Sequence, residues 1–261
     1  MANEKSKNPF IVGLIVLVSA IVVVHLLYVG YIIPSANAVL AIDGSAGARN
    51  FFVIIKDLEQ EICFIAMIWC SYFIITKSTA LFNDRFLFKV DFLSDQDKNG
   101  EIDLNEALNK LEESEFKDKP VFQTWITCIR RFIHTEDVQN ASDAIQASVD
   151  SLAVRLEAEN SMIRYLIWAI PSIGFIGTVR GIGQALAQAD KALAGDISGM
   201  TDSLGVAFNS TLVALFISIV LMFLLHQLQR LQDGLVVDTQ AHCEKYLLRH
   251  LHQNVKQQAA V

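Results

Sequence analysis

The twelve residues DQDKNGEIDLNE (95–106) carry the densest set of hard oxygen ligands in the chain. Asp95, Asp97 and Asn99 fall at positions one, three and five of an EF-hand-like calcium loop, and Gly100 supplies the sharp turn. Glu101 offers its carbonyl at position seven, Asp103 stands ninth and Glu106 is the bidentate twelfth. A hard cation needs oxygen ligands, and this spacing wraps six around one Ca2+. The same residues also form a polar turn followed by a capping box, Asp103-x-x-Glu106, which opens a helix through Ala107 and Leu111. Such loops usually come in pairs, and a second is not found. Calcium binding and a plain capped turn both stand as readings of this segment.

The stretch IPSIGFIGTVRGIGQAL (170–186) raises a different chemistry, because Gly174, Gly177, Gly181 and Gly183 crowd around Thr178. A phosphate loop would need a lysine after its glycines, and a dinucleotide fingerprint would need a third glycine after Gly181-x-Gly183; neither is present. The surroundings are apolar, where glycine lets helices approach closely, so Pro171, Gly174, Gly177 and Gly181 read as packing residues. The polar residues of note are Ser172, Thr178 and Arg180 here, and Asn209, Ser210 and Thr211 in the next apolar run. Thr178 lies ~21 Å along its helix from Arg164, and Thr211 lies ~12 Å from Ser203 at the opposite end. Across a ~30 Å hydrocarbon core these depths coincide. Thr178, Thr211 and Ser210 could therefore line an ion path, or simply bond their own i−4 carbonyls. Arg180 is a candidate for an ion pair with Asp190, Asp196 or a partner chain. His25 is ionisable within an apolar run and is a functional candidate on that ground alone. His242, Cys243, His250 and His252 do not converge at helical spacing, so they do not read as a metal site.

The elements that must position these groups are membrane helices. Hydrophobic residues make up 52% of the 261 and charged ones only 19%, more apolar matter than a soluble domain of this size buries. A net charge of −7 leaves no electrostatic footprint for nucleic acid. Residues 10–33 span ~36 Å as a helix, far more than the apolar part of a leader peptide, so the run reads as an uncleaved anchor despite Ala36-Asn37-Ala38 beyond it. Further apolar runs cover 62–77, with the helix entering near Leu58, then 162–187 and 204–228. Lys5, Lys7, Lys77, Arg85, Lys89, Arg155, Arg164 and Arg230 all fall on one side if both termini are cytoplasmic. Cys63, Cys70, Cys128 and Cys243 show no paired spacing and read as free thiols. The expected fold is an all-α membrane protein with four transmembrane helices and long cytoplasmic helical extensions. Its parts are 1–77 (N-terminal tip and two spans), 78–160 (a cytoplasmic insert holding the 95–106 loop), 161–228 (two further spans) and 229–261 (a C-terminal helix). Residues 138–187 read as one helix, whose stripe Ala141, Ile145, Val149, Leu152 and Leu156 requires a partner.

Pro171-x-x-Gly174-x-x-Gly177-Thr178-Val179-x-Gly181, together with AFNSTLVALFISI (207–219), resembles the signature spans of the MotA/TolQ/ExbB proton-channel family. The likeness is specific over about 60 residues, 161–220, and elsewhere extends to topology. Arg180, Asn209-Ser210 and the EF-hand-like loop depart from the family pattern. The resemblance implies a non-enzymatic stator of a bacterial inner membrane: a pentameric ring enclosing single spans of a MotB/TolR/ExbD-like partner and driven by H+ or Na+. Neither signature span holds Asp or Glu, so the titratable carboxylate of a relay would come from that partner. A calcium-responsive membrane scaffold without ion conduction is the alternative.

Overall fold

The computed structural model describes residues 9–43, 47, 50–93 and 103–258. Helices dominate, and no strand occurs among the described residues. In chain order they are α1 (Pro9–Leu27), a π-helical turn (Tyr28–Ile32), α2 (Ile33–Asp43), α3 (Phe51–Ile54), α4 (Leu58–Asp84) and a 3-10 turn (Arg85–Lys89). There follow α5 (Leu104–Glu113), α6 (Pro120–Thr135), α7 (Val138–Glu159), α8 (Ser161–Leu186), α9 (Ala189–Leu193), α10 (Ser198–His242), a π-helical turn (Cys243–Leu247) and α11 (Leu248–Gln258). Four of these helical stretches among the described residues are long and apolar enough to cross a membrane. In hydrocarbon every backbone polar group must be satisfied within the segment, so apolar runs even as rich in Val and Ile as α1 are driven into helix.

The chain divides into two units. One comprises residues 1–76 with 162–226, and the other residues 77–161 with 227–261. In the first, α8 and α10 meet through small residues. A Cβ built on Gly174 would lie 2.5 Å from the Cβ of Ala214, one on Gly177 2.6 Å from that of Ser210, and one on Gly181 2.8 Å from that of Ala207. Van der Waals packing is what holds helices together in lipid, and small residues at this spacing bring two backbones into contact. Pro171 lies inside α8 and cannot donate to the carbonyl of Ile167. Ser218 of α10 donates to that carbonyl at 3.2 Å and so repairs the gap from the neighbouring helix. Helix α4 joins this pair through Cys63, whose thiol faces the Ile170 carbonyl at 3.7 Å, and α1 through Trp69, which donates to the Gly13 carbonyl at 2.9 Å.

The second unit has an aromatic and aliphatic core in which Trp125, Cys128, Ile129, Ala141, Cys243, Leu247 and Leu251 are fully buried. Pro120 stands in the first turn of α6, whose end is marked by Glu136 in the left-handed region (φ 52°). Asp137 then caps α7 by accepting from the Gln139 amide. The α7 stripe finds its partners inside the unit: Ala141, Ile145, Val149 and Leu152 are buried, and the first three belong to the core shared with α6 and α11.

One helix boundary differs from the sequence expectation. The segment 138–187 is interrupted by a single turn residue, Asn160, a buried asparagine whose side-chain amide donates to Gln232 at 2.6 Å. At the second span α3 ends at Ile54 and α4 starts at Leu58, the expected point of entry. Helix α10 continues without interruption to His242, so the fourth apolar run and the start of the expected C-terminal helix are one element.

Candidate ion path and buried ion pairs

Thr178 and Thr211 meet. Their hydroxyl oxygens are 2.5 Å apart, and both side chains are half-buried. Thr178 Oγ1 also lies 2.9 Å from the Ala207 carbonyl of α10, while Thr211 Oγ1 lies 3.1 Å from the Gly174 carbonyl of α8. Each hydroxyl has one proton to donate. Thr211 can donate to Thr178 while Thr178 donates to Ala207, or Thr178 can donate to Thr211 while Thr211 donates to Gly174. The pair thus has two complete hydrogen-bond arrangements of opposite polarity, each tying α8 to α10.

Ser172 and Ser210 bond within their own helices instead. Ser172 donates to its own i−4 carbonyl, Trp168. Ser210 donates to Val206 at 2.9 Å and is fully buried in the α8–α10 seam against Gly177, away from the half-open side where the threonines lie. The helix faces beside the threonines are exposed and apolar, with Phe175, Val179, Phe208, Leu212 and Leu215 along them. An apolar face of this extent belongs against lipid or another protein.

Arg180 is three residues beyond Gly177 and two beyond Thr178, which sets it on the Gly177 side of α8 and nearly opposite Thr178. There its guanidinium donates to Glu59 of α4 at 2.8 Å, rather than to Asp190 or Asp196. Asp196 instead accepts from the Ser198 hydroxyl at 2.6 Å. The Glu59 side chain is 7% exposed and that of Arg180 39%. Two residues on, Glu61 pairs with His25 Nδ1 at 2.8 Å. Sequence reasoning missed both carboxylates. Their only local signal is three polar residues, Glu59-Gln60-Glu61, at the head of an apolar helix, and their partners lie 121 and 36 positions away.

The remaining candidates separate. Asp95, Asp97, Asn99 and Glu101 lie outside the described residues. Asp103 accepts from the amides of Asn105 and Glu106 as the N-cap of α5, and Glu106 pairs with Lys110 at 2.7 Å. No group of three or more potential metal ligands converges among the described residues. In the tail, Trp125 Nε1–H donates to His242 Nδ1 at 3.1 Å and His242 Nε2–H donates to the Val90 carbonyl at 2.9 Å, an arrangement that requires a neutral ring. Burial holds the His242 pKa below its ordinary value. His250 pairs with Asp91 at 2.9 Å. All four cysteines are free and buried, and burial pushes the Cys128 thiol up to about 12.

Four helices of membrane length and composition make this a multi-pass membrane protein. Residues 104–241 match the model of the MotA/TolQ/ExbB proton channel family, and the chain belongs to that family. The matched range contains both threonines and all the packing glycines; Glu59, Glu61 and His25 lie outside it. This is a channel family and not a class of enzymes. Comparisons with curated proteins and with solved structures produced no match.

Proposed function

We propose that this chain is the ion-conducting stator subunit of a motor in a bacterial inner membrane. Five copies form a ring around a dimer of a single-span, aspartate-bearing partner of the MotB/TolR/ExbD kind, with both termini of each copy in the cytoplasm. H+ or Na+ passes between ring and partner, and that flow is coupled to mechanical work. The observation that carries this reading is the Thr178–Thr211 pair: two hydroxyls whose contacts fit two hydrogen-bond arrangements of opposite polarity, half-buried beside an apolar face of the right character to receive another helix. Membership of the channel family supports it. Because α8 and the membrane part of α10 contain no carboxylate on that face, the partner's aspartate supplies the titrating group and the threonines orient it.

The test is ion flux in cells or vesicles holding the chain with the product of a neighbouring gene for a single-span protein. Thr178→Val and Thr211→Val should each abolish flux with assembly intact, since one lost cross-helix hydrogen bond costs only about 0.5–1.5 kcal/mol. Full flux in both variants would refute the path.

The 95–106 loop is proposed, on its ligand spacing, to bind Ca2+ and stiffen the second unit. Calorimetric titration of the purified full chain should give heat that vanishes in Asp95→Ala/Asp97→Ala. An unchanged titration at millimolar Ca2+ would leave Asp103 as a helix cap alone.

A further inference from the structure

Unpaired polar groups occur around the head of α4, beside the Glu59–Arg180 pair on the side of α8 away from the threonines. Three buried polar atoms in the first unit have no hydrogen-bond partner among the described residues: Tyr28 Oη, Asp57 Oδ2 and Gln60 Nε2. Gln60 is fully buried and Tyr28 is 2% exposed. They belong together. Gln60 Oε1 accepts from the Asp57 amide at 2.8 Å, and Tyr28 follows His25 by three residues, about one helical turn, while His25 touches Glu61, the neighbour of Gln60, at 2.8 Å. Asp57 precedes Glu59, the partner of Arg180 at 2.8 Å, by two residues. The two salt-bridged carboxylates, Glu59 and Glu61, therefore border the same cluster as the orphaned atoms.

An orphaned buried donor or acceptor costs several kcal/mol in an apolar medium, so three in one place call for an occupant. The three differ in kind. Gln60 Nε2 only donates, Asp57 Oδ2 only accepts when ionised, and Tyr28 Oη does either. A bare cation would suit the acceptors and be repelled by the Gln60 amide hydrogens and by Arg180. An anion would suit the donors and be repelled by three carboxylates. Water alone satisfies both kinds, and a buried water ordinarily takes two to four such partners.

We propose that Tyr28, Asp57 and Gln60 form a binding site for internal water that hydrates the Glu59–Arg180 and Glu61–His25 pairs. With the N-terminus cytoplasmic, His25 lies ~8 Å short of the outer face of a ~30 Å core. The site thus places hydrated carboxylates of this chain in the outer third of the membrane, on a track separate from the threonine pair. It lowers the desolvation cost of holding two ion pairs there and gives their carboxylates contact with exchangeable protons.

The experiment is X-ray hydroxyl-radical footprinting of the full chain, with its partner, in lipid nanodiscs; radicals made from bound water label the side chains beside it. Tyr28 should be labelled at least about fivefold faster than Trp69, a more reactive ring with its N–H already bonded to Gly13. In Gln60→Leu the Tyr28 rate should fall to that of Trp69. Tyr28 labelled no faster than Trp69 in the wild type overturns the proposal, as does a high rate unchanged in an assembled Gln60→Leu. If Gln60→Leu does not assemble, Gln60→Met replaces it; if neither does, the wild-type comparison decides. The inference rests on the membrane orientation proposed above and not on the ion path: silent threonine variants would refute the path and leave the Tyr28 labelling as it is.

Discussion

Gly177→Ala isolates the close approach of α8 and α10. The added Cβ would stand 2.6 Å from Ser210 Cβ, 2.7 Å from Ser210 Oγ and 3.1 Å from Glu59 Cγ. Ordinary carbon–carbon contact is about 3.5–4.0 Å, so the helices must separate by roughly 1 Å, and overpacking of this kind costs about 1–3 kcal/mol. Ser210 cannot swing aside, because its hydroxyl is bonded to Val206 and its Cβ is fixed to the α10 backbone. A separation of that size also stretches the Thr178–Thr211 contact one residue along each helix. The assay is thermal unfolding of the detergent-solubilised chain followed with a thiol-reactive dye, for which the four free, buried cysteines are natural reporters. Gly177→Ala should lower the melting temperature by several degrees, and Ser210→Gly in the same chain should restore most of the loss. Gly183→Ala is the control: no atom lies within 4 Å of its Cβ, and alanine favours helix by about 1 kcal/mol over glycine. A neutral Gly177→Ala, or a loss that Ser210→Gly does not repair, would refute the packing argument.

Arg180→Ala should destabilise the chain more than the double variant Arg180→Ala/Glu59→Gln, because the single change leaves Glu59 buried and uncompensated; thermal melts of both variants check this. The second unit should lose stability on acidification. Burial depresses the His242 pKa in the folded chain, so the unfolded chain binds the proton more readily. The stabilising contribution is complete above the ordinary value of 6.5 and is lost as pH falls below it. Limited proteolysis of residues 77–161 across pH 5–8 should show this loss in the wild type and less of it in His242→Gln.

The membrane helices were legible in the sequence because one physical rule covers them: an apolar run of about 20 residues in lipid has no stable form but helix. The small-residue spacing of α8 was legible for a similar reason, since three glycines at intervals of three and four residues share a face whatever they pack against. Matched helix depth even placed Thr178 level with Thr211, although depth alone could not separate a cross-helix pair from two hydroxyls bonded to their own carbonyls. Only the tertiary structure made that choice, by closing the backbones until each hydroxyl reached the other helix. It likewise assigned Ser218 to the carbonyl that Pro171 leaves free, Arg180 to Glu59 and His25 to Glu61. These pairings depend on the rotation and offset of helices far apart in the chain, and residue spacing within one helix carries no information about either. Asn160 shows the same limit: its buried partner, Gln232, lies 72 positions away in the sequence.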